Sequence, residues 1–285
     1  VRLAITGGTG LVGRFLVEEA LAAGDAVTVL CRTAPRPGFF SAPVAQLPYA
    51  LGDTPPLDGI DALIHCAFLH EPGRYRGGEG NDPAAFTRAN LDGSVRLFEA
   101  ARSAGLSRVL FLSSRAVYGA YPPGTTLSED MPPRPDTLYG EVKWQAEQAL
   151  ADLATPAFTT ASLRATGVYG PPGPGQRHKW AGLFEDYLAG RPVAPRRSTE
   201  LHGADLAAAA RLLLRSTQTG PFNASDIILD RHDLLARVAE LTGCPHPLPE
   251  RATAPVSAMA TGRLRALGWR PGGPDRLAAS LPAML

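Results

Sequence analysis

The chain has 285 residues, 45% of them apolar and 19% charged, which is enough to bury one large core or one core with a small appendage. A formal net charge of +1 gives no basic face that would attract nucleic acid. Cys31, Cys66 and Cys244 lie far apart without metal-ligand spacing and cannot all pair, and no apolar run reaches membrane-spanning length, so a cytoplasmic protein with no membrane partner and no metal site is expected.

In chain order, RLAIT (2–6) reads as a strand, with no leader-like pattern ahead of it. GLVGRFLVEEALAAG follows as a helix, with Leu11 and Phe15, and Val12 and Leu16, at four-residue spacing and Gly24 as its stop. AVTVLC (26–31), a weak run near Gln46 to Tyr49, ALIHCA (62–67), RVLFLSS (108–114) and FTTASLRAT (158–166) are further strands; residues 83–104 and 138–153 are helical. Such alternation predicts a parallel sheet covered on both faces. Only GDTPPLDGID separates the third and fourth strands, too little for a crossover helix, so one covering helix is expected to be missing. The glycine-rich HEPGRYRGGEGND (70–82) is either a mobile loop over a site or a solvated connection. After residue 168 the composition turns to YGPPGPGQRHKW and then to mixed short elements. Residues 1–168, completed by part of 193–225, form the sheet domain, and 169–285 form mainly a smaller substrate-binding region.

TGGTGLVG (Thr6–Gly13) stands at the first strand-to-helix turn. There glycine lets the backbone turn tightly, approach a pyrophosphate and pack the helix on the strand, while the helix N-terminus supplies amides and positive dipole. Two registers are satisfied together: Gly8, Gly10 and Gly13, or Gly7, Gly10 and Gly13. A dinucleotide site is expected. At the end of the second strand, where a carboxylate would take the adenosine ribose, stand Cys31 and Arg32. A guanidinium there favours the 2′-phosphate of NADP, with NAD still possible; Arg32 lying along the surface is the competing account.

Of 28 basic residues only Lys143 and Lys179 are lysines. Tyr139 and Lys143 are i and i+4 on a predicted helix, which puts phenol and ammonium on one face. A nearby cation favours the phenolate, and an ammonium can also donate to ribose hydroxyls, so Tyr139 becomes a candidate general acid or base. Ser114, at the end of a strand, can hold the reacting oxygen.

TGGTGLVG, ALIHCAF, NLDGS, FLSSRAVYG, YGEVK, LRATGVYGP, LHGADLAAA and LRALGWRP occur in this order along nearly the whole chain. Together they resemble the extended short-chain dehydrogenase/reductase family, in its sugar epimerase and dehydratase branch. The resemblance implies a Rossmann-type, doubly wound α/β fold and a catalytic set of Ser114, Tyr139 and Lys143. It also implies pyrophosphate binding at Gly7, Thr9, Gly10, Leu11 and Val12, adenine near Asp53, and a dinucleotide path along Cys66, Ala67 and Phe68. Asn90 matches a family asparagine, as a structural or as a catalytic residue; His202 matches a structural histidine, and His65 is expected to be a satisfied core histidine. A homodimer is implied through the helices at 83–104 and 138–153, where Leu138 and Trp144 face a partner or the subunit's own core.

Departures from the pattern bear on the reaction. Arg115-Ala116 replaces the Asp-Glu of the dehydratases, which disfavours dehydration. Gly167 and Ser198 stand where nucleotide-sugar epimerases have asparagine and arginine, and Val142 replaces a small residue. Thr166, Arg177, His178, Lys179, Arg196 and Arg197 are the polar candidates for substrate contact, with solvated charge as the alternative for each cation. The reading is an NAD(P)-dependent epimerase or reductase acting on a secondary hydroxyl or keto carbon of a sugar-like substrate. A non-catalytic NADP-binding sensor or scaffold is the alternative.

Overall fold

The computed structural model describes residues 1–70 and 78–285. The remaining part of the 70–82 segment therefore lies outside the described residues. The first strands are β1 (Arg2–Thr6), β2 (Ala26–Cys31), β3 (Ala45–Pro48), β4 (Ala62–His65), β5 (Arg108–Ser114) and β6 (Thr159–Ala165). With them run α1 (Gly13–Ala22), α2 (Pro83–Thr87), α3 (Gly93–Ser103) and α4 (Leu138–Asp152). The remainder holds β7 (Gly167–Tyr169), α5 (Ala181–Leu188), β8 (Arg197–His202), α6 (Gly203–Leu214), β9 (Gly220–Ala224), β10 (Ile227–Asp230), α7 (Arg231–Thr242), α8 (Gly262–Ala266) and α9 (Gly273–Ser280).

The main sheet is parallel throughout, in the order β3-β2-β1-β4-β5-β6-β9. The order reverses between β1 and β4, which opens a crevice at their carboxyl ends. Strand alternation decides which core each side chain joins. Leu3 and Ile5 face α1 and α6, through Leu16, Val17, Leu206 and Ala210. Ala4 points the other way, toward Leu97 and Phe98 of α3 and Ala146 and Leu150 of α4. A second sheet, β10-β8-β7, carries the carboxyl-terminal region, whose core is Tyr169, Trp180, Phe184, Tyr187, Leu234 and Leu281.

No helix joins β3 to β4, as the short connection predicted. That connection instead crosses the start of α3, where a Cβ on Gly93 would stand 2.8 Å from the Gly52 amide. The predicted helix at 83–104 is interrupted by a π-helical turn at Arg88–Asp92. Asn90 is buried in this turn: its Oδ1 accepts from the Leu69 amide at 2.6 Å, and its Nδ2 donates to the carbonyls of Leu69 and Phe86 at 2.8 and 3.0 Å. It thus fastens the chain after β4 to the helix, a structural task.

His65, at the end of β4, is fully buried and satisfied. Thr6 Oγ1 accepts from the amides of Cys66 and Ala67 at 3.1 and 3.0 Å, so its own proton goes to His65 Nδ1, 2.7 Å away. The imidazole then carries its hydrogen on Nε2 and donates to Ser94 Oγ at 2.9 Å. Burial, with Lys143 nearby, pushes the imidazole down to about 3 and holds it neutral. His202 likewise caps α6 by accepting from the Ala204 amide, and faces Ser280. Trp144 packs against a cluster of its own subunit around Val117, Tyr118, Leu127 and Met259.

Candidate active site

Three glycines of the loop, Gly7, Gly8 and Gly13, have no room for a side chain. Gly7 takes φ +66°, and a Cβ there would lie 2.8 Å from the Ala67 amide nitrogen. A Cβ on Gly8 would lie 2.9 Å from Val17 Cγ2, and one on Gly13 would run into the Gly7 carbonyl. Both glycine registers of the sequence are therefore used, one for the turn and the other for packing the helix. Gly10 donates to the Gly7 carbonyl at 3.0 Å and closes the turn. Val12 precedes α1 without a side-chain cap; the Arg14 and Phe15 amides of the first turn already donate to the Gly10 and Val12 carbonyls at 3.1 and 3.2 Å, so an anionic ligand would meet the amides ahead of them and the positive end of the helix dipole.

Over this loop lies a cavity of about 380 Å³, lined by Gly7, Thr9, Gly10, Leu30, Cys31, Arg32, Tyr49, Ala50, Leu51, Cys66, Ala67, Phe68, Leu69 and Ala89. Arg32 stands in the lining, and none of these residues is a carboxylate. The buried Tyr49 hydroxyl has no hydrogen-bond partner among the described residues. A cradle in which side chains are sterically barred, closed by a helix N-terminus and edged by a guanidinium, fits a dinucleotide. Asp53 departs from expectation. Its carboxylate accepts from the Ala50 amide at 2.7 Å and stays out of the lining, so Tyr49, Ala50 and Leu51 form that end of the cavity. Leu11 and Val12 are outside the lining too, and the Val12 side chain packs on the core.

A second cavity, of about 570 Å³, is lined by Ser114, Arg115, Ala116, Tyr139, Thr166, Gly167, Lys179, Trp180, Arg196, Ser198, Glu200, Arg231 and neighbours. Ser114 comes from the end of β5, where its Oγ accepts from the Ala116 amide at 3.1 Å. Thr137 caps α4 by accepting from the Gly140 amide, which places Tyr139 in the first turn. Phe68, from the lining of the first cavity, meets the Tyr139 ring edge-on at 5.1 Å between centroids, and His70 stacks on the same ring at 6.1 Å.

Lys143 lies behind Tyr139 and is 3% exposed. Its Nζ donates to the Leu112 carbonyl at 2.7 Å and stands 4.0 Å from the centroid of Phe68, 4.7 Å from that of Phe111 and 5.9 Å from that of Tyr139. Burial pulls the ammonium down to about 7, against support from Cys66 and Glu147. Burial reverses the shift that the i, i+4 spacing predicts for the phenol. In the free protein the Tyr139 phenol is raised by burial, and a hydrogen bond with Ser114 opposes that rise only in part. The ammonium does not make it a phenolate, because its nearest polar partner is the Leu112 carbonyl and its own charge is destabilised by the same burial. With only two lysines in the chain, nuclear magnetic resonance of ¹³C-lysine-labelled protein can follow each amine. Lys143 is expected to titrate near 7 without dinucleotide, and a midpoint at the ordinary lysine value would contradict this burial.

The carboxyl-terminal candidates separate. Thr166 and Lys179 line the second cavity; Arg177 is exposed and paired with Glu185 at 2.7 Å, and Arg197 is exposed at the start of β8, so neither lines it. His178 is outside the lining as well. The cations in the lining are Arg115, Lys179, Arg196 and Arg231. Arg231 had no motif to mark it. It reaches the cavity because its amide donates to the Arg196 carbonyl at 2.9 Å and its Nη1 to the Ala194 carbonyl at 3.0 Å. Burial, and then the charge of Arg196, lower the Arg231 pKa, as expected for two guanidinium groups sharing one mouth.

The model of the NAD dependent epimerase/dehydratase family matches residues 3–224. The chain belongs to this family. It is 30% identical over 178 residues to the decarboxylating sterol-4-alpha-carboxylate 3-dehydrogenase of Mus musculus, a match covering 60% of this chain and 46% of that protein. To UDP-glucose 4-epimerase of Corynebacterium glutamicum it is 28% identical, over 95% of this chain and 91% of that one. The crystal structure of Thermus thermophilus UDP-glucose 4-epimerase complexed with NAD superposes with a TM-score of 0.79 at 27% identity, covering 100% and 99% of the two chains. The chain spans about half the length of the first curated relatives it matches. Among the described residues no helix is long and apolar enough to cross a membrane.

Proposed function

We propose that this family member is an NAD(P)-dependent epimerase or reductase acting at a secondary hydroxyl or keto carbon of a sugar or nucleotide-sugar-like substrate. The observation that carries the reading is the meeting of Ser114 and Tyr139 in one cavity, with Phe68 connecting it to the glycine-loop cradle and Lys143 directly behind. A bound nicotinamide dinucleotide supplies hydride exchange with the substrate carbon. Ser114 orients the substrate oxygen, and Tyr139, kept neutral by burial, gives a proton to that oxygen when a ketone is reduced and takes it back in the reverse direction. Lys143 offers its remaining N–H donors toward the dinucleotide. Arg196 and Arg231, close enough for the charge of the first to lower the pKa of the second, suit a diphosphate. A cytoplasmic homodimer pairing through α3 and α4 belongs to the same reading. Turnover of keto-sugars and nucleotide sugars by purified protein tests it; dinucleotide binding without turnover of any of them would favour the sensor or scaffold.

NADP is the proposed cofactor, with NAD also accepted, because Arg32 edges the cradle where no carboxylate could claim the ribose. Arg32→Ala is expected to weaken NADPH binding by about tenfold, the equivalent of about 1.4 kcal/mol, and to change NADH binding less than about twofold. Fluorescence titration of both nucleotides checks this, and equal losses would remove Arg32 from cofactor choice.

A further inference from the structure

We propose that Lys179, Glu200 and Thr166 form a subsite that reads a hydroxyl of a neutral sugar ring beside the reacting carbon, and that it selects against a uronate. The inference rests on the reading of the cavity given above and goes beyond it to the substrate class.

Lys179 and Glu200 form an ion pair in the wall of the catalytic cavity, with side-chain exposures of 29% and 5%. Ser198 Oγ donates to the second carboxylate oxygen, Glu200 Oε1, at 2.9 Å. The pair exists because residue 167 is glycine. A Cβ there would stand 2.8 Å from Glu200 Oε2 and would collide with Lys179 Nζ. Two departures from the family pattern, glycine at 167 and serine at 198, thus have one physical explanation: the first makes space for the ammonium, and the second holds the carboxylate that receives it. Next to this pair, Thr166 Oγ1 is buried with no hydrogen-bond partner among the described residues.

Topology places the subsite near the chemistry. Ser114 pairs in register with Ala165, so Thr166 and Gly167 leave the strand adjacent to the one that carries Ser114. Neighbouring strands lie roughly 5 Å apart, which is the scale of one sugar ring. The group read here therefore belongs to the ring that reacts, whereas the diphosphate of a nucleotide would lie at Arg196 and Arg231.

Hydrogen-bonding capacity decides the chemical class. An ammonium has three donors, of which Glu200 takes one; an ionised carboxylate has about four acceptor positions, of which Lys179 and Ser198 take two. A sugar hydroxyl both donates and accepts, so it can bridge Glu200 and Lys179, and a second hydroxyl or ring oxygen can satisfy Thr166. A uronate carboxylate only accepts. It would gain from Lys179 but face the Glu200 charge at close range; Arg196, whose charge reaches Lys179, is the cation that could offset this, and in the nucleotide-sugar reading it is engaged by the diphosphate.

The test is calorimetric titration of the dinucleotide-loaded protein with UDP-glucose and with UDP-glucuronic acid. UDP-glucose is expected to bind at least about tenfold more tightly, Lys179→Met to weaken it by about tenfold or more, and Glu200→Gln to bring the two ligands within about threefold by improving the uronate. Tighter binding of the uronate by the parent, or an unchanged ratio in Glu200→Gln, would overturn the proposal. Retained dinucleotide affinity shows that each variant is folded. Should Glu200→Gln fail that check, Gly167→Ala crowds the same pair while keeping both charges; it is expected to weaken UDP-glucose, and unaltered affinity would count against the subsite. If neither nucleotide sugar binds, the nucleotide-sugar reading fails, and the subsite is judged with free glucose and glucuronate on the ¹³C resonance of Lys179. A shift with glucose alone supports it, and a shift with glucuronate alone, with both or with neither overturns it.

Discussion

Tyr139→Phe is expected to lower turnover by about a hundred- to ten-thousand-fold, the range of a single general acid or base, while dinucleotide affinity and Tm stay close to the parent's. The substitution deletes one oxygen and keeps the ring. That ring supports the site independently of its hydroxyl, edge-on to Phe68 and stacked on His70, so the cavity should keep its shape. Burial raises the phenol pKa in the free protein, and its proton is therefore fully present throughout the neutral range. Ketone reduction, which needs that proton, should accordingly be nearly independent of pH there. Oxidation of the alcohol requires the phenol to give its proton up first, so its rate should rise with pH. Steady-state rates in both directions, with dinucleotide binding measured in parallel, separate chemistry from binding. A loss of less than about threefold in the variant would remove Tyr139 from the proton path and leave a dinucleotide-binding protein in its place.

The parallel sheet could be read in the sequence because its central strands are buried on both faces and are punctuated by turn residues, while the mostly exposed edge strand β3 left only a weak run; the absent crossover helix could be read because ten residues cannot hold one. The glycine loop was equally readable. Steric exclusion at Gly7, Gly8 and Gly13 leaves a compositional trace that no other residue type can imitate. Less could be said of side chains whose surroundings come from distant segments. Spacing puts Tyr139 and Lys143 on one face of α4, but it does not reveal that Phe68, Phe111 and the Leu112 carbonyl enclose the ammonium. Desolvation depends on these neighbours and reversed the expected shift of the phenol. Asp53 belongs to the same class: a carboxylate after a strand suits an adenine, yet a local turn at Ala50 claims it. In the carboxyl-terminal region Arg177 and Lys179 are two residues apart, and only the path of the chain around Trp180 turns one into solvent and the other into the cavity.

Arg164→Met is expected to destabilise the protein by about 3–5 kcal/mol, the cost of leaving one partner of a buried ion pair alone. Arg164 on β6 and Glu147 on α4 are 2% and 5% exposed. The guanidinium Nε donates to both carboxylate oxygens at 3.1 Å and Nη2 to Oε2 at 2.7 Å, a forked geometry that lysine could not reproduce. Its Nη1 donates to the Tyr118 hydroxyl at 3.0 Å; that hydroxyl donates to Asn223 Oδ1 at 2.7 Å, and Asn223 Nδ2 to the Leu127 carbonyl at 3.1 Å. One buried network therefore joins α4, β6, β9 and the turn that follows Ser114. Glu147 lies one helical turn beyond Lys143, and Tyr118 follows Ser114 closely, so the network also sets the distance between two of the proposed catalytic groups. Arg164→Met should lower kcat as well as stability. In the double variant Arg164→Met, Glu147→Leu, both buried charges disappear and most of the stability should return, but kcat should stay low because the tie between helix and strand is still missing. Urea unfolding of the single and double variants, with turnover measured on each, checks this. Equal stability losses in the two would show that the pair contributes through packing alone, and a fully active double variant would free Ser114 and Lys143 from dependence on this tie.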